Sequence, residues 1–173
     1  MTYAKNWLRE KHIKEFIVIG INSRRDKRKP SDEQILSWSK SIYNRYKVKT
    51  VLIWQPGEQD NKIYPGDNER MKIFLNNLPF YIVPLKTDIS LFQAVAVIQF
   101  AKVSLLPDGG LAHLASVSKG GVIALFADTD VSPHPDNWRP YTKQSQYLEA
   151  GKTVEELKDK FVVSKIAQYI LRK

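Results

Sequence analysis

Two stretches of the sequence carry residue types suited to holding an anion. Asn22-Ser-Arg-Arg-Asp-Lys-Arg-Lys29 sets five cations, Arg24, Arg25, Lys27, Arg28 and Lys29, against the single acid Asp26, in a chain whose formal net charge is +9. Pro107-Asp-Gly-Gly-Leu-Ala-His113 follows an apolar run and opens onto a helical pattern. A helix start presents unpaired amides with a partial positive charge, and Gly109 and Gly110 would let an anion come close to the backbone. Brought together, these cations and amides would act on one charge and form a phosphate cradle. The same residues have plainer readings. A charge run is usually a solvated loop, Asp-Gly-Gly is an ordinary turn with Asp108 as helix cap, and His113 is equally a core histidine bonded to a carbonyl. Glu58, in Gln55-Pro-Gly-Glu58, reads as a ribose acceptor or, with more weight, as a loop carboxylate.

Positioning both stretches over one ligand needs a particular framework. Five short, β-branched apolar runs read as strands covered on both faces: Phe16 to Ile21, Thr50 to Trp54, Phe80 to Val83, Val103 to Leu106 and Gly121 to Phe126. Helical patterns separate them. Ser31-Asp-Glu-Gln34 has the form of a capping box before Ile35, Trp38, Ile42, Tyr43 and Tyr46, which predicts a helix over Asp32 to Tyr46. Helices are also predicted over Glu69 to Asn76 and, directly after a strand, over Gly110 to Ser118. Asp88 is placed to cap Ile89 to Phe100, whose apolar residues leave little polar face and so predict a buried helix. Thr153-Val-Glu-Glu156 repeats the capping-box form ahead of a closing amphipathic helix to Leu171, expected to pack back on the sheet. Residues 127–152, with Pro133, Pro135 and Pro140, read as one long irregular stretch.

Strands alternating with helices at this spacing imply parallel βαβ units and an α/β, doubly wound, Rossmann-like sheet formed by residues 1–173 as a single domain. If the strand order is 3-2-1-4-5, the reversal falls between the first and fourth strands. Ligands bind at such a reversal, beyond the carboxyl ends of the strands. The basic loop and the glycine pair leave those two ends.

Composition excludes several classes. The chain has no cysteine, which removes disulfides, thiolate zinc sites, iron–sulfur clusters and cysteine nucleophiles. There is no Gly-x-Gly-x-x-Gly fingerprint, no phosphate-loop Gly-Lys-Ser/Thr and no Gly-x-Ser-x-Gly elbow. With only His12, His113 and His134 and no paired ligand spacing, no metal is expected. The basic loop lacks interleaved aromatics, which argues against nucleic acid as partner. No apolar run approaches the roughly 20 residues that span a bilayer, so a cytoplasmic protein is expected.

The ordered motifs resemble a family. Leu105-Leu-Pro-Asp-Gly-Gly-Leu-Ala-His-Leu-Ala115, then Gly121-Val-Ile-Ala-Leu-Phe126, then Asp128-Thr-Asp130, is similar to the C-terminal signature of the glycosyltransferase family 9 heptosyltransferases. That signature runs Asp-Thr-Gly-x-x-His-x-Ala, then an apolar strand ending near Phe-Gly-Pro-Thr. Asp108, Gly110, His113 and Ala115 match its core, and Lys27-Arg-Lys-Pro30 resembles the family's Lys-Arg-Trp-Pro. The resemblance covers roughly Phe16 to Tyr141.

The resemblance implies the donor-binding, C-terminal half of a GT-B enzyme that uses no cofactor and moves heptose from ADP-heptose onto the lipopolysaccharide core, inverting the anomeric centre without a metal. It implies that Lys27, within the loop carrying Arg24, binds the donor diphosphate. The turn Asp108, Gly109, Gly110 would offer amides, His113 would lie beside the diphosphate, and Glu58 would take the ribose hydroxyls. It assigns no catalytic residue to this chain: the catalytic base belongs to the family's N-terminal domain, here a separate domain or partner chain. The expected location is the cytoplasm, peripheral at the inner face of the bacterial inner membrane. Gly109 replaces the family threonine, Lys29 the tryptophan, and Phe126-Ala-Asp-Thr129 stands for Phe-Gly-Pro-Thr, so another nucleotide sugar is open as donor. The competing reading is a non-catalytic nucleotide-binding or assembly module that pairs with another polypeptide.

Overall fold

The computed structural model describes residues 2–21, 23–63, 65–86, 90–131 and 134–172. Its elements run α1 (Thr2–Glu10), β1 (Phe16–Gly20), α2 (Asp32–Tyr46), β2 (Lys49–Ile53), α3 (Asn68–Phe74), β3 (Ile82–Pro84), α4 (Leu91–Ile98), β4 (Ser104–Pro107), α5 (Gly110–Ser116), β5 (Val122–Phe126), α6 (Pro135–Trp138), β6 (Ser145–Glu149) and α7 (Asp159–Ile170). Short 3-10 turns at Asp26–Arg28 and Val154–Glu156 interrupt the longer connections. Every strand pair is parallel, in the order β3-β2-β1-β4-β5-β6. The class read from sequence therefore holds, with the reversal between β1 and β4.

The β-branched runs fold this way because both faces of the sheet are covered. In β1, β4 and β5 every residue is buried. Ile17, Ile19, Leu105, Ile123 and Leu125 turn to one face, where Trp38 and Ile42 of α2 and Val162 and Ile166 of α7 meet them. Val18, Leu106, Val122, Ala124 and Phe126 turn to the other, under Ala4 of α1, Val97 and Ile98 of α4, and Ala112 and Ala115 of α5. The Ser31 capping box is complete: its hydroxyl accepts from the Gln34 amide and the Gln34 side chain accepts from the Ser31 amide, both at 3.2 Å. Asp159 at the start of α7 accepts from Trp38 Nε1 at 2.7 Å and from the Ser37 hydroxyl, so the closing helix packs back on α2.

Three expectations are corrected, and one element was not anticipated. Residues 127–152 hold a sixth strand, β6; it is an edge strand with only Leu148 buried, so its sequence carries no apolar run. The element not anticipated is α1, which precedes β1 and is buried through Ala4. The stretch before Phe100 forms the shorter α4, and it is not buried: Phe92 is 82% exposed and Leu91 55%, because α4 turns only Ala94, Val97 and Ile98 toward the sheet. Ser90 caps this helix, accepting from the Phe92 amide at 3.2 Å; the expected cap, Asp88, lies outside the described residues. Thr153 closes no capping box. Glu156 accepts instead from the Lys152 amide at 3.0 Å, Val154–Glu156 is a 3-10 turn, and the helix begins at Asp159.

Candidate functional site

The loops leaving the carboxyl ends of β1, β4 and β5 meet through the basic run. Arg28 turns inward: its Nη1 lies 2.5 Å from Asp108 Oδ2, and its Nε donates to the carbonyl of Ala127 at 3.1 Å. One buried guanidinium thus ties the β1 loop to the Asp-Gly-Gly turn after β4 and to the residue after β5. Its neighbours are also paired. Lys27 Nζ sits 2.8 Å from Asp128 Oδ2, and Lys29 Nζ sits 2.7 Å from Asp67 Oδ1 and 3.1 Å from Asp26. Three successive cations therefore fasten one loop to three others.

Burial governs the acids of this cluster. It pushes the Asp108 carboxyl above its ordinary value, opposed by Arg28 and His113, and it weakens the hold of Arg28 on its proton, opposed by Asp108. Burial also raises Asp67 against the pull of Lys29. Partly buried Asp128 is lowered by the hydrogen bond from Lys27. Asp128 itself sits at φ 55°, a left-handed conformation that aspartate tolerates better than most residues. Asp108 Oδ1 is buried and accepts no hydrogen bond among the described residues. A buried carboxylate oxygen without a donor is costly unless something supplies one.

Each residue expected at the site has a definite place. Lys27 is exposed on the loop, 57% accessible and held by Asp128. Arg24 is exposed, forms no ion pair among the described residues, and lines a small cavity of about 190 Å³ with Asp26, Lys29, Gln59 and Asp67. Gly109 has φ 156°, a region open almost only to glycine. A Cβ on Gly110 would meet nothing within 4 Å, so the protein's own side chains leave that backbone open. His113, one turn into α5, is exposed and meets Trp138 edge-to-face at 6.2 Å, which sets aside the core-histidine reading. Glu58 stands apart. It is exposed and hydrogen-bonds with Glu69, which raises its carboxyl, on a loop closed where Gly66 donates to its carbonyl at 2.9 Å. A Cβ at Gly66 would lie 2.0 Å from the Gly57 oxygen, so that closure requires glycine. The structure brings Lys27, Asp108, Gly109, Gly110 and His113 to one end of the sheet and leaves Glu58 on a separate loop.

A family model described as "Glycosyltransferase family 9 (heptosyltransferase)" matches residues 19–166, most of the chain. The chain belongs to glycosyltransferase family 9. Solved structures share the fold of this family 9 chain at low identity. The E. coli heptosyltransferase WaaC with ADP superposes with a TM-score of 0.70 at 19% identity, covering 96% of this chain and 48% of that one. The E. coli ADP-heptose lipopolysaccharide heptosyltransferase II gives 0.75 at 15%, covering 98% and 51%. A family 9 glycosyltransferase from Veillonella parvula gives 0.78 at 13%, covering 99% and 51%. The chain spans about half the length of these structures. No curated protein matches it by sequence search.

In this family 9 chain the residues that sequence reasoning missed are Arg28 as the buried tie, with Asp67 and Asp128 as the anchors of its neighbours. Nothing local signals them. Their partners lie 80, 38 and 101 residues away along the chain.

Proposed function

We propose that this chain is the nucleotide-sugar donor domain of a family 9 glycosyltransferase, folded as one domain, that takes part in an inverting, metal-independent transfer of heptose or a related sugar in lipopolysaccharide core synthesis. The observation that carries the reading is the buried Arg28–Asp108 pair, which holds the cationic loop against the turn that ends in the open backbone of Gly110 at the strand-order reversal. The donor diphosphate lies in that crevice. Lys27, Arg24 and the turn amides take up the charge that grows on the diphosphate as the bond to the sugar breaks. The Asp108 to Gly110 turn offers its amides, His113 flanks the diphosphate, and Glu58 takes the ribose hydroxyls. WaaC has been solved with ADP and with ADP-2-deoxy-2-fluoro heptose, which supports an ADP-sugar as ligand here.

The acceptor hydroxyl attacks the anomeric carbon from the side opposite the diphosphate, and its proton passes to a base. That base comes from an N-terminal domain or partner chain, which also closes the crevice against water. The lipopolysaccharide-core acceptor places the reaction at the cytoplasmic face of the inner membrane. Attachment there is peripheral in this reading; among the described residues no helix is long and apolar enough to cross a membrane.

Titration calorimetry tests the reading. ADP should bind the chain equally well with and without a metal chelator, and Lys27→Ala should weaken binding. No binding, alone or with a partner chain supplied, overturns it. One observation favours the second reading, an assembly module: Lys27, Arg28 and Lys29 are each already matched by a carboxylate. In that case a partner polypeptide is captured and ADP is not.

A further inference from the structure

A second group of cations without carboxylate partners among the described residues lies away from the basic loop. A cavity of about 580 Å³ runs along the outer side of edge strand β6, lined by Arg139, Lys143, Lys165, Tyr141, Tyr147 and Gln146 among others. Its volume falls within the roughly 300–1,000 Å³ of small-molecule sites. No carboxylate lines it, and its three cations form no ion pair among the described residues. In the basic loop, by contrast, Lys27, Arg28 and Lys29 are all paired.

The cavity wraps the edge of the sheet. Tyr147 sits on the α5 side against Phe126, with ring centroids 6.0 Å apart, and the Arg139 guanidinium lies 5.0 Å from the Tyr147 ring and 5.2 Å from that of Tyr141. Gln146 points to the opposite face, the side of Leu148 and α7, and its Oε1 is buried without a hydrogen-bond partner. Ser145 and Gln146 pair with Val122 and Ile123 at the amino end of β5. The cavity therefore sits at the opposite end of the sheet from the donor crevice.

We infer that this edge cavity is a second binding site for an anionic sugar, a saccharide bearing a phosphate or carboxylate. Three cations without a carboxylate partner among the described residues answer the anionic group, and planar Tyr141 offers a face for the apolar side of a pyranose. A sugar hydroxyl supplies the donor that Gln146 Oε1 lacks. The site is separate from the nucleotide crevice, and the inference stands whether or not that crevice holds a donor.

The test is a ¹⁵N NMR titration of the intact chain with glucose 6-phosphate, with inorganic phosphate, glucose, phosphatidylglycerol vesicles and ADP as parallel arms. Glucose 6-phosphate should shift the amides of Thr142 to Tyr147, bind more tightly than inorganic phosphate or glucose, and stay bound at saturating ADP. Arg139→Gln with Lys165→Gln should weaken it at least about tenfold, the size of one charge-assisted hydrogen bond. Gln146→Leu should weaken glucose 6-phosphate and leave inorganic phosphate unchanged. The inference is overturned if glucose 6-phosphate shifts none of these amides, if inorganic phosphate binds as tightly, if ADP displaces the sugar, or if only vesicles engage the surface. Should the double variant fail to fold, the wild-type titrations decide alone.

Discussion

The Arg28 guanidinium meets the Asp108 carboxylate at 2.5 Å with side chains only 1% and 6% exposed, so the most buried cation of the basic run binds protein rather than ligand. Removing one partner of such a pair strands the other charge in a low-dielectric interior, at a cost of about 3–5 kcal/mol. Arg28→Met should lower stability in urea denaturation by that amount. Adding Asp108→Leu should recover most of it, since an apolar pair of similar volume is often neutral. A single variant as stable as the wild type would show that the pair is not held as described.

Acid should act on Asp108 and Asp128 with opposite signs. Asp108 has a raised carboxyl, so between the ordinary 3.8 and its folded value the native state holds a proton that the unfolded chain has lost. Its contribution to stability is full below 3.8 and declines as pH rises through the folded value. Asp128 is lowered by Lys27, so its contribution is present above 3.8 and is lost as pH falls through its own folded value. Stability measured from pH 3 to 6 should show wild type losing ground to Asp108→Asn as pH rises, and gaining ground over Asp128→Asn. Parallel curves would contradict the assignment.

The basis for these expectations was unevenly legible in the sequence. Strands β1, β2, β4 and β5 and helix α2 could be read because a run buried on both faces must be apolar throughout, and because Ser31 and Gln34 carry their capping chemistry locally. Strand β6 could not, since an edge strand with one buried residue resembles a polar loop. For the site, the meeting of the two loops followed from the strand order. The roles within the run did not: whether Lys27, Arg28 or Lys29 turns inward depends on carboxylates that only the folded chain brings near.

Lys27 separates structural from ligand duty. Its ion pair with Asp128 is solvent-exposed, and exposed pairs add little to stability. Lys27→Ala should therefore leave the urea midpoint nearly unchanged while weakening ADP about tenfold or more, as expected for loss of one charge-assisted contact. Equal ADP affinity in calorimetry would return Lys27 to the role of a loop fastener.

The two glycines should respond differently to alanine. Gly110 opens α5 with free space where a Cβ would stand, so Gly110→Ala should fold at least as well as the wild type and bind ADP more weakly, its methyl occupying the approach to the backbone. Gly109→Ala must leave φ 156° or strain there, at a cost of about 1–3 kcal/mol in thermal or urea unfolding. If Gly110→Ala leaves ADP affinity intact, the anion does not lie against that turn.

One diphosphate should bridge the cationic loop and the glycine turn, and backbone NMR of the chain titrated with ADP reads that bridge. Saturating ADP should move the amides of Lys27, Gly109 and Gly110 together, with a single affinity and no dependence on added magnesium. Shifts confined to one of the two loops, or to residues at the other end of the sheet, would contradict it.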